Sequence, residues 1–257
     1  VTAPVTVDRS SYEAAVAALR AQLVAYLGQF WVTADLTDFT IQQLTQIVAP
    51  AVEAAQLQIA NLTSVYMAAA TVSEPLPVAD SVLTGRGVSP DVVYARPVIQ
   101  ARTMVSKGET IVDAMKAGQR RLESIATTDL QMAKIRQAQS SLKHGGKTHY
   151  RRVLKGTHNC AMCIIASTQR YYTAKLMPIH PGCDCDVEPL ERGRDLVIDG
   201  RLLEAAHQKV KDITGISDRG GREPDYRKLL VINQHGELGD VLTWRGQKFT
   251  SLDQLKD

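Results

Sequence analysis

The feature that most constrains this chain lies between Thr157 and Leu190, where all four of its cysteines fall: Cys160, Cys163, Cys183 and Cys185. With His180 they make the pattern C-x2-C-x16-H-x2-C-x-C, two close pairs of soft ligands separated by a loop. Tetrahedral metal sites are commonly built this way, because two short pairs brought together by one loop supply four donors. Any fold proposed for the chain has to bring these positions together or explain their grouping otherwise.

Three readings compete. A structural zinc site offers roughly 10–16 kcal/mol of apparent binding energy in small peptides. A disulfide closing a loop of about 15–20 residues offers only about 3 kcal/mol, and would pair Cys160 or Cys163 with Cys183 or Cys185. The N-terminal VTAPVTVDRSSYEAA lacks a basic region followed by an apolar core, which argues against a secretory signal and makes reduced thiols the expectation. A redox-active C-x2-C is the third reading, and no thioredoxin-like β-α-β setting is visible for it. Five residues (Cys160, Cys163, His180, Cys183 and Cys185) compete for four metal positions, and the spacing does not choose among them.

Charge is divided unevenly. The net charge is +3, yet residues 1–80 hold only Arg9 and Arg20 against seven acidic side chains. Residues 116–155 reverse this with Lys116, Arg120, Arg121, Lys134, Arg136, Lys143, Lys147, Arg151, Arg152 and Lys155 against Glu123 and Asp129. Such a basic block suits phosphate-backbone contact with double-stranded DNA that reads no sequence. The alternative is an ordinary solvated face. The few interleaved aromatics argue against a stacking platform for single strands.

The first half is alanine-rich and periodic. Ser10 and Glu13 have capping-box spacing, and a helix is expected over 11–29. A second is expected over 40–71, kinked or split by Pro50. These stripes are either a bundle core or a docking surface. Residues 81–92 read as an irregular connector. Ser89-Pro90 opens a helix to about Val105, and another runs over 110–142 with an interruption near Gly118. His144-Gly145-Gly146 marks a boundary. Beyond it, strands are expected over 149–154, 171–173, 185–190, 228–233 and 241–244, with a helix over 201–213 and a glycine-rich loop over 217–225. No continuous run of about 18 apolar residues is present, so no membrane span is expected.

The fold class is therefore α+β, a mostly helical N-terminal region followed by a small α+β region with a Cys/His metal knuckle. Its parts are an acidic helical region over 1–80, a connector and basic helical region over 81–145, and a Cys/His-containing region over 146–257.

The order C-x2-C, an apolar stretch, then HPGCDC and a V-x-P strand resembles the Mu F-like minor head proteins of tailed phages. YRRVLKGTHNCAMCIIASTQRYY and RGGREPDYRKLLVINQHGELGDVLTWRGQKFT are similar to the form found in actinobacterial phages, so the resemblance covers about residues 145–250. It implies a minor capsid protein of the virion, located in the head interior or at the portal vertex. The implied partners are the portal or major capsid protein and packaged DNA, with no membrane and no small-molecule substrate. Some actinophage relatives are labelled capsid maturation proteases, the alternative function. Ser140, Ser141, His144 and His149, or a cysteine with His180, supply residue types for it. No nucleophile elbow, H-E-x-x-H helix or phosphate-binding glycine loop accompanies them.

Overall fold

The computed structural model describes residues 8–83, 86–155, 161–174, 183–190, 200–214, 230–235 and 238–246. The chain forms two compact units. Unit 1 comprises Val1–Tyr66 and Pro77–Gln137, and unit 2 comprises Met67–Leu76 and Ala138–Asp257. A helical N-terminal part followed by a small α+β part is the architecture the sequence predicts.

Unit 1 begins with helix α1, Arg9–Val32. Its cap is Asp8 rather than the expected Ser10–Glu13 box. The Asp8 carboxylate accepts the backbone N–H groups of Ser10 and Ser11 at 2.7 and 3.1 Å, while Glu13 pairs with Arg9 at 2.7 Å. Donors from Ser10 and Ser11 stabilise the Asp8 anion and hold its carboxyl below the usual range. Tyr12, Val16, Leu19, Leu23, Leu27 and Trp31 form one buried stripe at helical spacing. Tyr12 stacks on Tyr66 with ring centres 4.2 Å apart. By length and apolarity α1 also suffices to cross a membrane, although Arg20 and Gln22 interrupt its apolar run. Its stripe is part of the core of unit 1.

Pro50 divides the second helical stretch in a specific way. Helix α2 (Asp38–Gln43) runs into a π-helical turn (Leu44–Val48), and α3 (Ala49–Thr71) follows. Proline has no N–H to donate and its ring crowds the carbonyl four residues back, so the wider turn just before it relieves both problems. A short helix α4 (Asp80–Leu83) lies in the expected connector. Helix α5 (Pro90–Ser106) starts with Pro90 in its first turn after extended Ser89, as expected.

Helix α6, Ile111–His144, is continuous through Gly118. A Cβ at Gly118 would lie 2.5 Å from Trp31 Cζ2 and 2.9 Å from the Pro97 carbonyl oxygen. The glycine therefore serves close packing among α1, α5 and α6, and does not break the helix. Trp31 adds an indole N–H bond to the Met115 carbonyl at 2.9 Å. Deeper in unit 1, the Asp129 carboxylate accepts from Arg86 at 2.6 Å and from the Tyr94 hydroxyl at 2.9 Å. Both lie beside a cleft of about 640 Å³ that Pro50, Glu53 and Gln56 also line.

In unit 2, α6 ends at Gly145-Gly146. Gly146 adopts a left-handed φ of 66°, which favours glycine. A three-stranded antiparallel sheet follows, in the order β2 (Arg170–Tyr172), β1 (His149–Val153), β3 (Asp186–Leu190). Helix α7 (Ala161–Ser167) connects β1 to β2, and α8 (Gly200–Thr214) packs on α7. Strands β4 (Leu230–His235) and β5 (Gly239–Trp244) form a hairpin with Ile232 opposite Leu242. Met162, Ile165 and Ala166 of α7 pack against Leu242 and Trp244. The predicted strands and the later helix are all present; α7 is an addition, and the loop over 217–225 lies outside the described residues.

Candidate metal centre

The centre forms where α7, β1 and the entry to β3 meet. In β1 alternate residues turn inward, so Tyr150 and Arg152 are buried while His149 and Arg151 are less so. The register places Arg152 opposite Val187 and Val153 opposite Asp186. That pairing delivers Cys185 and Cys183, just ahead of β3, to the end of β1. Helix α7 contributes Cys163 from the other side.

The three thiols are 3%, 2% and 1% exposed for Cys163, Cys183 and Cys185, and their sulfurs all lie within 4.8 Å of one another. Cys163 Sγ is 3.8 Å from Cys183 Sγ, and Cys183 Sγ is 2.9 Å from Cys185 Sγ. Metal–sulfur bonds of about 2.3 Å in a tetrahedron separate sulfurs by roughly 3.8 Å. The Cys163–Cys183 edge has that length, and the Cys183–Cys185 edge would open by about 0.9 Å on binding. Three buried cysteines at this spacing could hold a metal ion. None of the three is in a disulfide.

A buried guanidinium adjoins them. Arg152 Nη1 donates towards Cys185 Sγ at 3.4 Å and Cys183 Sγ at 3.9 Å, and its guanidinium carbon stands 5.6 Å from the centre of the Tyr171 ring. Tyr171 in turn stacks on Tyr150 at 5.2 Å. Burial works against the charge on Arg152, but the Cys185 and Cys183 sulfurs outweigh it and hold its pKa above the ordinary value. A hydrogen bond from Cys163 pulls the Cys185 thiol down, but the bond with Cys183 and burial prevail and push it up to about 12. Burial also pushes the Tyr171 hydroxyl up to about 12, so that ring is neutral.

Cys160 and His180, the other two candidate ligands, lie outside the described residues, as does His158. Helix α7 begins one residue after Cys160, closer to a redox C-x2-C than the sequence suggested. Yet β1 and β2, which flank it, are antiparallel, so the unit is not a β-α-β crossover.

The basic block separates into several environments. Lys116, Arg120, Arg121 and Lys143 are exposed, and Arg136 and Lys147 are half-buried. Lys134 is 2% exposed and Arg152 3%, so neither stands at the surface to meet a phosphate. Arg151 pairs with Glu188 at 2.9 Å and Lys155 with Asp186 at 3.0 Å. Of the ten side chains expected to contact DNA, Lys134 and Arg152 are corrected to buried positions. Charge counting alone could not separate these residues, although the alternation along β1 already placed Arg152 on the same side as Tyr150.

Of the protease candidates, Ser141 and Cys163 are buried. Ser141 is 2% exposed inside α6, and the His149 ring engages Thr148 Oγ1 at 2.9 Å and the Tyr172 ring at 4.6 Å. Cys163 belongs to the thiol cluster.

Comparison with protein families, curated proteins and solved structures returned no match. The fold and the cluster define the class: a two-unit α+β protein with a candidate thiolate metal centre in its second unit.

Proposed function

We propose that the chain is a structural component of a tailed-phage head, a minor capsid protein of the Mu F-like type, whose second unit is held together by a zinc ion. The observation that supports this reading most is the meeting of Cys163, Cys183 and Cys185 in one buried cluster, since the same residues carry the sequence resemblance. Bound zinc would supply a structural cross-link between α7 and the β1–β3 sheet, and thiolate donors suit that ion. The centre's role is then to fold the unit. Among the described residues, Ser141 is buried and Cys163 is grouped with the other thiols, and neither placement favours the protease alternative.

In this reading the alanine-rich outer side of α1, where Ala14, Ala17, Ala18, Ala21 and Ala25 are exposed, docks on portal or major capsid subunits. The exposed basic side chains Lys116, Arg120 and Arg121 of unit 1, and Lys143 of unit 2, meet the phosphates of packaged DNA. The direct test is quantitative mass spectrometry of purified virions from a phage that carries the gene. The chain is expected in full particles at low copy relative to the major capsid protein. Its absence from particles that package DNA and infect normally would refute the assignment.

A further inference from the structure

The thiol cluster and Arg152 together raise a question of charge. Among the described residues, the groups that face the Arg152 guanidinium are Cys185, Cys183, Tyr171 and Tyr150; none is a carboxylate. The nearby buried carboxylate, Asp186, has Lys155 at 3.0 Å. Arg152 is thus a permanent cation enclosed with thiols and neutral rings. A buried charge is stable only where an opposite charge answers it, and an arginine cannot escape by losing its proton.

A divalent ion bound by three thiolates carries one net negative charge, which one guanidinium cancels. A fourth thiolate would leave one negative charge over in the same enclosure. A neutral fourth donor, such as an imidazole, adds none. Hydrogen bonds from an arginine to thiolate sulfur also draw electron density from the ligands and orient them, as outer partners of metal ligands generally do.

Building on the metal-centre reading, we infer that the site is a three-thiolate centre with a neutral fourth donor, and that Arg152 is its built-in counter-charge and positioning residue. The five-residue pattern then divides unequally. Cys163, Cys183 and Cys185 ligate. Cys160 is not needed to complete the shell, because a thiolate there breaks the charge balance.

Cobalt(II) substitution of the full chain tests this, since the thiolate-to-cobalt charge-transfer band grows with the number of thiolates bound. In Cys160→Ser the band keeps its full intensity and metal stoichiometry, whereas Cys163→Ser loses intensity. A loss in Cys160→Ser equal to that in Cys163→Ser would overturn the three-thiolate assignment. Arg152→Met, which keeps the bulk and removes the charge, is expected to weaken zinc binding at least tenfold in competition with a chelator, within the range known for such outer partners. Arg152→Lys should recover part of that loss, which a purely steric role would not predict. Unchanged affinity in Arg152→Met would refute the counter-charge role. Should Arg152→Met fail to fold, the cysteine comparison decides alone. A wild-type chain that takes up neither cobalt nor zinc in reduced form would overturn the metal-centre reading itself, and this proposal with it.

Discussion

Arg86 in unit 1 and Arg152 in unit 2 are both withdrawn from water, and the two units answer them with different chemistry. The Arg86 side chain, 11% exposed, is met by the Asp129 carboxylate at 2.6 Å, and Asp129 is itself held by Tyr94. Every charge in that group has its opposite within the unit. Among the described residues Arg152 has no carboxylate beside it; its polar contacts there are the sulfurs of Cys183 and Cys185. In unit 1 the Arg86 cation is met by a carboxylate and by the Ile125 carbonyl at 3.2 Å. Unit 2 places its cation beside a cluster of three buried thiols that could hold a metal ion.

The contrast teaches where each unit's stability resides. A long helical unit can bury enough apolar surface to tolerate one satisfied ion pair. In unit 2 the thiol cluster joins helix α7 to the entry of β3, so a cross-link there ties separate elements together. The comparison breaks most directly at the thiols. Cys185→Ser, or removal of the ion by a strong chelator, should destabilise unit 2 by an amount on the order of 10 kcal/mol at the upper end. Hydrogen exchange is the measurement: amides of β1, α7 and β3 should lose protection while those of α1 and α5 retain it. Equal protection with and without chelator would show that unit 2 needs no ion.

The complementary break lies in unit 1. Asp129→Asn removes the carboxylate charge that Arg86 meets at 2.6 Å, and breaking a buried pair from one side costs about 3–5 kcal/mol. The loss should appear as a lower denaturant midpoint and as faster exchange in α5, with metal stoichiometry unchanged. The double change Arg86→Met with Asp129→Leu should recover much of it, because an apolar pair of similar volume carries no desolvation penalty. If the double variant is no better than the single one, the pair contributes something other than mutual compensation.

How far these features were legible from the sequence depended on which physical rule governed each. Apolar stripes marked α1 and α3, because burial on one face leaves a periodic trace, and the Ser89-Pro90 start signal marked α5. The capping box failed because Asp8, two residues before Ser10, offers two strong acceptor oxygens and takes the N-cap position. Helix α7 left no clear signal because AMCIIAS is too short to display a period, and its one cysteine belongs to a pattern that suggests a knuckle. The basic block misled because charge is read per residue whereas exposure is set by the fold. Within α6 and β1 the same residue types fall on buried and open positions: Lys134 and Arg152 inside, Lys116 and Arg120 outside. The cysteine pattern announced a cluster, but the guanidinium beside it emerged only from the strand register.

The smallest predicted effect sharpens the claim that unit 1 depends on close side-chain packing where its helices cross. Glycine to alanine in a helix interior ordinarily gains up to about 1 kcal/mol. Gly28 in α1 should follow that rule, since its added Cβ would meet only Gln119 Nε2, at 3.7 Å. Gly118 should reverse it. The added methyl would press on Trp31 at 2.5 Å and on the Pro97 backbone at 2.9 Å, and the backbone atom cannot swing aside as a flexible side chain can. Overpacking of this kind costs about 1–3 kcal/mol, enough to cancel the propensity gain and leave a net loss. Thermal unfolding of Gly28→Ala and Gly118→Ala should therefore shift in opposite directions, with metal content the same in both. Two shifts of the same sign would mean that the Trp31–Gly118–Pro97 contact relaxes easily, and that the helices of unit 1 are held mainly by something other than close packing at that crossing.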